Sequence, residues 1–135
     1  MTIECATYTP ADGVPEPVAP YSHVVRHGGL LYVTGQMPLD PATNDLPIGG
    51  IAEQTDMVMT NLRRVLELQG VSMDAVLQVR AYLTGMDLYA GFNAAYERWF
   101  SAPLPARTCI AVTGLAVGAL VEVDLIAATD GSVRP

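Results

Sequence analysis

Apolar and polar positions change period several times along the chain, and each change marks a structural element. Residues 23–27 and 30–36 are β-favouring runs on either side of Gly28-Gly29, a two-residue turn signal, which predicts a hairpin. Residues 38–45 are rich in turn formers and read as an exposed loop. From 51 to 69 the apolar residues Ile51, Val58, Leu62, Val65 and Leu66 fall at helical spacing, and Gly70 supplies the stop. Residues 75–84 return to period two, with Leu77, Val79, Ala81 and Leu83 on one face and Gln78, Arg80 and Tyr82 on the other. Asp87 is placed to cap a second helix whose stripe is Leu88, Phe92, Ala95 and Trp99. That helix should end near Phe100, ahead of Pro103 and Pro105. Residues 107–113 and 120–128 close the pattern as two further strands.

The predicted order is β-β-α-β-α-β-β: an α+β domain with two helices packed on one face of a sheet. Residues 1–18 form an extended lead-in carrying Pro10, Pro15 and Pro17, with Pro20 just beyond. One domain over residues 1–135 is expected, because a chain of 135 residues, half of them apolar, suffices for one ordinary core.

Charge and cysteine content narrow the function. Seven basic residues are scattered among fourteen acidic ones, a net charge of −7, so a phosphate-neutralising stripe is absent and no nucleic-acid partner is expected. Cys5 and Cys109 belong to no C-x-x-C pair, and His23 and His27 lie far from both, so neither a disulfide framework nor a metal site is expected. No glycine-rich phosphate loop points to an organic cofactor. The first residues lack the basic and apolar stretches of a signal peptide, and residues 108–121, the longest uncharged run, are too short for a membrane span. The expectation is a cytoplasmic protein with no membrane partner and no cofactor.

Period two also sorts the last two strands. Arg107, Cys109 and Ala111 share one face; Val121, Val123 and Leu125 share the face that should meet the helices, and Glu122 and Asp124 point away. If the two strands are neighbours, as the short connection 114–118 implies, Arg107, Cys109 and Glu122 sit together on the face without helices. From periodicity alone, the Arg107–Glu122 pair reads equally as a surface ion pair of little energetic value.

Five motifs in chain order resolve that ambiguity. Pro20-Tyr21-Ser22, Val33-Thr34-Gly35-Gln36, Asn93-Ala-Ala-Tyr96 with Phe100, Pro105-Ala106-Arg107-Thr108-Cys109 and Glu122-Val123-Asp124 together resemble the RidA/YjgF/UK114 family over residues 19–128. Thr34 stands where that family usually has Ser, His23 where Gln is common, Asp124 where Glu is usual, and Leu115-Ala116 where Leu-Pro is usual. The resemblance implies a chorismate-mutase-like fold with a mixed sheet. It also implies a homotrimer with clefts between subunits, and hydrolytic deamination of 2-aminoacrylate-type enamines and 2-imino acids to 2-oxo acids and ammonia.

It implies as well that Arg107 and Glu122 are catalytic and that Tyr21, Thr34, Gly35, Asn93, Arg107 and Cys109 bind substrate. The residue chemistry agrees: a guanidinium fork grips a carboxylate bidentately, and a carboxylate such as Glu122 is suited to deprotonate water. Cys109 has no histidine placed to make it a nucleophile, and the resemblance gives its backbone the contact with ligand. A carboxylate-binding or chaperone-like trimer without turnover, and a hydrolase of a larger conjugated enamine in a catabolic pathway, are the alternatives. An endoribonuclease fits the charge balance least.

Overall fold

A computed structural model describes residues 2–135. Its elements, in chain order, are β1 (Glu4–Ala6), β2 (Val24–His27), β3 (Leu30–Gln36), α1 (Ile51–Leu68), β4 (Val76–Leu83), α2 (Tyr89–Tyr96), β5 (Ala106–Ala111) and β6 (Val121–Ala128). Six strands make one mixed sheet in the order β1-β2-β3-β6-β4-β5, antiparallel except for the parallel pair β4–β5. Both helices pack on one face; the other face is open.

The hairpin forms where expected. Gly28 and Gly29 take φ of 60° and 78°, the left-handed pair that a tight turn between right-twisted strands requires. α1 lays Val58, Leu62, Val65 and Leu66 onto the sheet, all fully buried, and ends at Gly70 with φ of 70°. Those side chains meet Val33 from β3, Val79, Ala81 and Leu83 from β4, and Val121, Val123 and Leu125 from β6. Burying such a side chain is worth roughly 1.5–3 kcal/mol, so this layer fixes which face of each strand turns inward.

Four expectations need correction. The lead-in contains β1, which pairs antiparallel with β2 through Cys5↔Val25; three residues are too few for a period-two signal to show. The start of the 38–45 loop is buried: Leu39 is covered, and Asn61 Nδ2 on α1 donates to the carbonyls of Met37 and Leu39 at 3.2 and 2.9 Å. Leu77 does not share the inward face of Val79. The pairing with β6 shifts between Val76↔Ala127 and Gln78↔Ile126, so a bulge accommodates Leu77 and leaves it exposed. Asp87 caps nothing; it sits inside a short 3-10 turn, Met86–Leu88, that leads straight into α2.

The largest correction concerns adjacency. β5 and β6 are not neighbours, because β4 lies between them. α2 returns the chain so that β5 runs parallel beside β4, as a helical crossover permits. β6 then enters between β3 and β4, antiparallel to both. β5 is thereby left as an edge strand.

Candidate active site

Register decides which predicted residues meet. Arg107 and Cys109 pair with Val79 and Ala81, whose side chains are in the core, so both lie on the helix face of the sheet. Glu122 pairs with Tyr82, on the open face. The expectation that Arg107, Cys109 and Glu122 share the helix-free face of one chain is therefore overturned. Arg107 and Glu122 form no ion pair: the salt bridges among the described residues involve neither.

At the rim, Arg107 is framed by α2. Its guanidinium carbon lies 5.7, 5.6 and 5.0 Å from the ring centres of Tyr89, Phe92 and Tyr96, which follow one another at i, i+3 and i+7 on one helix face. Its Nη2 donates to the Tyr89 hydroxyl at 3.1 Å. Asn93, Tyr96, Glu97, Leu104, Pro105 and Arg107 line a cavity of about 290 Å³. Two buried polar atoms of this wall, Asn93 Oδ1 and the Tyr96 hydroxyl, have no hydrogen-bond partner. Burial pushes the Tyr96 phenol up to about 12, partly opposed by the charges of Arg107 and Arg134, so it is protonated at neutral pH.

Cys109, two residues on, packs against the core, and burial raises its thiol pKa more than the Arg107 charge lowers it. Such a thiol is a poor nucleophile. Neither ring nitrogen of His23 is free to serve it: Nδ1 accepts from the Tyr8 amide at 2.9 Å, and Nε2 lies 3.0 Å from the Pro15 carbonyl.

The second group gathers on the open face. Pairing of β3 with β6 slips between Val33↔Leu125 and Gln36↔Val123, so Thr34 and Gly35 occupy a bulge. The Glu122 side chain fills the space beside Gly35: a Cβ placed there would lie 2.2 Å from Glu122 Oε2. Burial, helped by the neighbouring Asp124, raises the Glu122 carboxyl above the ordinary Glu range. Asp124 is otherwise engaged, accepting from Arg80 Nε at 2.8 Å and from the Tyr82 hydroxyl at 3.0 Å. Thr34 is tied to Tyr21 through His23. Its amide donates to the His23 carbonyl at 2.9 Å, and the Tyr21 ring meets the imidazole edge-on with centroids 6.2 Å apart. The Tyr21 hydroxyl accepts from the Val18 amide.

The structure thus groups Arg107 with Asn93 and Cys109, and Glu122 with Gly35 and Thr34. The aromatic frame of Arg107 was missed by the sequence reading, although Tyr89, Phe92 and Tyr96 share the spacing of one helix face. Among the described residues no group of three or more His, Cys, Asp or Glu side chains is placed to hold a metal ion, and no helix is long and apolar enough to cross a membrane.

With this geometry in place, comparison with known proteins is direct. The family model of endoribonuclease L-PSP matches residues 12–129. RutC family protein PH0854 of Pyrococcus horikoshii is 35% identical over 116 residues, spanning 86% of this chain and 92% of its own. The 2-iminobutanoate/2-iminopropanoate deaminase of Dermatophagoides farinae is 30% identical over 112 residues, 83% of this chain and 88% of its own. The crystal structure of RidA from the Antarctic bacterium Psychrobacter sp. PAMC 21119 superposes with a TM-score of 0.83 at 32% identity, covering 87% of this chain and 94% of that one. The chain belongs to the endoribonuclease L-PSP family, which is the RidA/YjgF/UK114 family its motifs resemble. Its fold is the chorismate-mutase-like α+β fold of that family.

Proposed function

We propose that the protein hydrolyses small 2-enamine and 2-imino acids to 2-oxo acids and ammonia, in a homotrimer whose sites form between subunits. The observation that carries this reading is a guanidinium at the sheet rim, beside a cavity, with no carboxylate partner among the described residues. An arginine held by rings rather than by an acid keeps its fork free for a substrate carboxylate. A relative at 30% identity bears the name of a deaminase of such imines.

In this mechanism Arg107 binds the carboxylate of the 2-imino acid, formed directly or by tautomerisation of the enamine. Water adds to the carbon of the protonated imine while a carboxylate takes its proton, giving a neutral carbinolamine. The same carboxyl group protonates the amino nitrogen, the C–N bond breaks to release ammonia, and the carboxylate takes the hydroxyl proton as the 2-oxo acid forms. Glu122, with its raised pKa, is suited to these transfers. The imine carbon is already electrophilic, so the chemistry asks for no cofactor.

Arg107 and Glu122 lie on opposite faces of one sheet, so one site needs Arg107 of one copy and Glu122 of a second. Closed rings of identical subunits are a common way to bring such faces together. The test is a mixture of two variants, Arg107→Ala and Glu122→Gln, each expected to be inactive alone. Co-expressed in equal amounts, they should recover about a quarter of wild-type turnover, since one site in four then pairs both native residues across a ring interface. No recovery, with mixed oligomers shown by mass spectrometry, refutes the shared site. Binding of 2-oxobutanoate without any turnover of fresh 2-iminobutanoate would make the protein a carboxylate binder.

A further inference from the structure

Residues 101–104 connect α2 to the strand that carries Arg107, and all four are exposed. Leu104 nevertheless forms one wall of the Arg107 cavity, together with Pro105. Among the described residues, one hydrogen bond outside the helices and strands reaches this segment: Arg134 Nε donates to the Pro103 carbonyl at 2.9 Å. The same guanidinium donates through Nη1 to the carbonyls of Val76 at 2.6 Å and Met73 at 3.1 Å, at the start of β4. The Arg134 amide donates in turn to the Asp74 carbonyl at 2.9 Å. One side chain thus staples the wall segment to the sheet.

Arg134 also closes a row of rings. Its guanidinium carbon lies 5.4 Å from the Phe100 centre; Phe100 and Tyr96 are 5.2 Å apart, Tyr96 and Phe92 5.4 Å. Arg107 sits over the other end of that row. The charges of both cations lower the pKa of the Tyr96 phenol against the rise caused by burial.

We infer that Arg134 is a positioning residue for the Arg107 cavity: by holding the Pro103 carbonyl and the Phe100 ring it sets the wall against which substrate is bound. This rests on the assignment of that cavity as the substrate site. Arg134 does not line the cavity, so its effect is transmitted through the 101–105 segment and not by contact. Three carbonyls in different directions suit a planar fork; an ammonium serves fewer of them at once.

The experiment compares wild type, Arg134→Ala and Arg134→Lys on 2-iminobutanoate released in the cuvette by an amino-acid oxidase, well below the melting temperature of each. Arg134→Ala should raise KM about tenfold with kcat within about twofold, the pattern of lost binding without lost chemistry, and Lys should fall between. A lowered melting temperature with unchanged KM makes Arg134 a structural clasp only and overturns the inference, while loss of activity in Arg107→Ala leaves the functional reading standing. If Arg134→Ala does not fold, KM of the Lys variant decides by the same criterion. If wild type does not turn over the imine, the functional reading fails. The inference then stands or falls on whether 2-oxobutanoate, titrated calorimetrically, binds more weakly to the Arg134 variants.

Discussion

Arg107 at the β5 rim is held by three rings and a tyrosine hydroxyl, whereas Glu122 on the open face is positioned by the absence of a side chain at Gly35. The first group is defined by what surrounds it, the second by what is left out. The two carboxylates of β6 repeat the contrast: Asp124 is committed to Arg80 and Tyr82, while Glu122, two residues back, is raised in pKa and takes part in no ion pair among the described residues. A charged group is free for chemistry where the fold stabilises its position without neutralising it.

The contrast is broken most strongly at the rim. Arg107→Ala should lower the rate of 2-oxo acid formation on the order of a hundredfold or more, since a charge-assisted bidentate contact and the orientation it gives are both lost. The melting temperature should fall only modestly, because the ring contacts and the Tyr89 hydrogen bond are lost but no acid among the described residues is left unpaired. Arg107→Lys should recover only part of the rate. Near-native turnover by a folded Arg107→Ala protein would remove the site from the rim.

A smaller effect is expected opposite. Gly35→Ala inserts a Cβ where the Glu122 carboxylate lies, and the flexible end of that side chain is what must move. Rate should fall about tenfold, as expected when a reacting group is displaced by an ångström or so, with stability nearly unchanged. Equal losses of rate and stability would show that the bulge, and not Glu122, was disturbed.

The smallest effect sharpens the comparison through pH. A carboxyl whose pKa is raised by folding binds more protons folded than unfolded, so it costs stability above its folded pKa. That cost disappears as pH falls to the unfolded value near 4.5. Glu122→Gln should therefore melt slightly higher than wild type at pH 7, at matched protein concentration, and the advantage should vanish near pH 4. An advantage that persists at pH 4 would assign it to packing.

Much of this architecture was legible because the signals were local. Gly28-Gly29 between two β-favouring runs, and the helical spacing ending at Gly70, both sit where they were expected. Leu77 and the neighbours of β5 were not legible, for a common reason: a bulge and a strand order are set by partners distant in sequence. The period-two sorting of Arg107 from Ile110, and of Glu122 from Val123, was correct within each strand. What failed was the assumption that a short connection makes two strands neighbours. α2 ties β5 to β4, and that constraint prevailed. The motifs named residues that the fold then distributed over two surfaces.

The edge position of β5 has a consequence for solubility. A strand that ends a sheet offers a row of amides and carbonyls to any other strand, and proteins commonly shield such rows. At the opposite edge the exposure is kept short, with only three residues in β1. β5 has six, including the exposed Ile110. In the ring proposed above, closure of the copies on one another would protect this edge, so variants that loosen that closure are expected to precipitate and not to accumulate as soluble monomers.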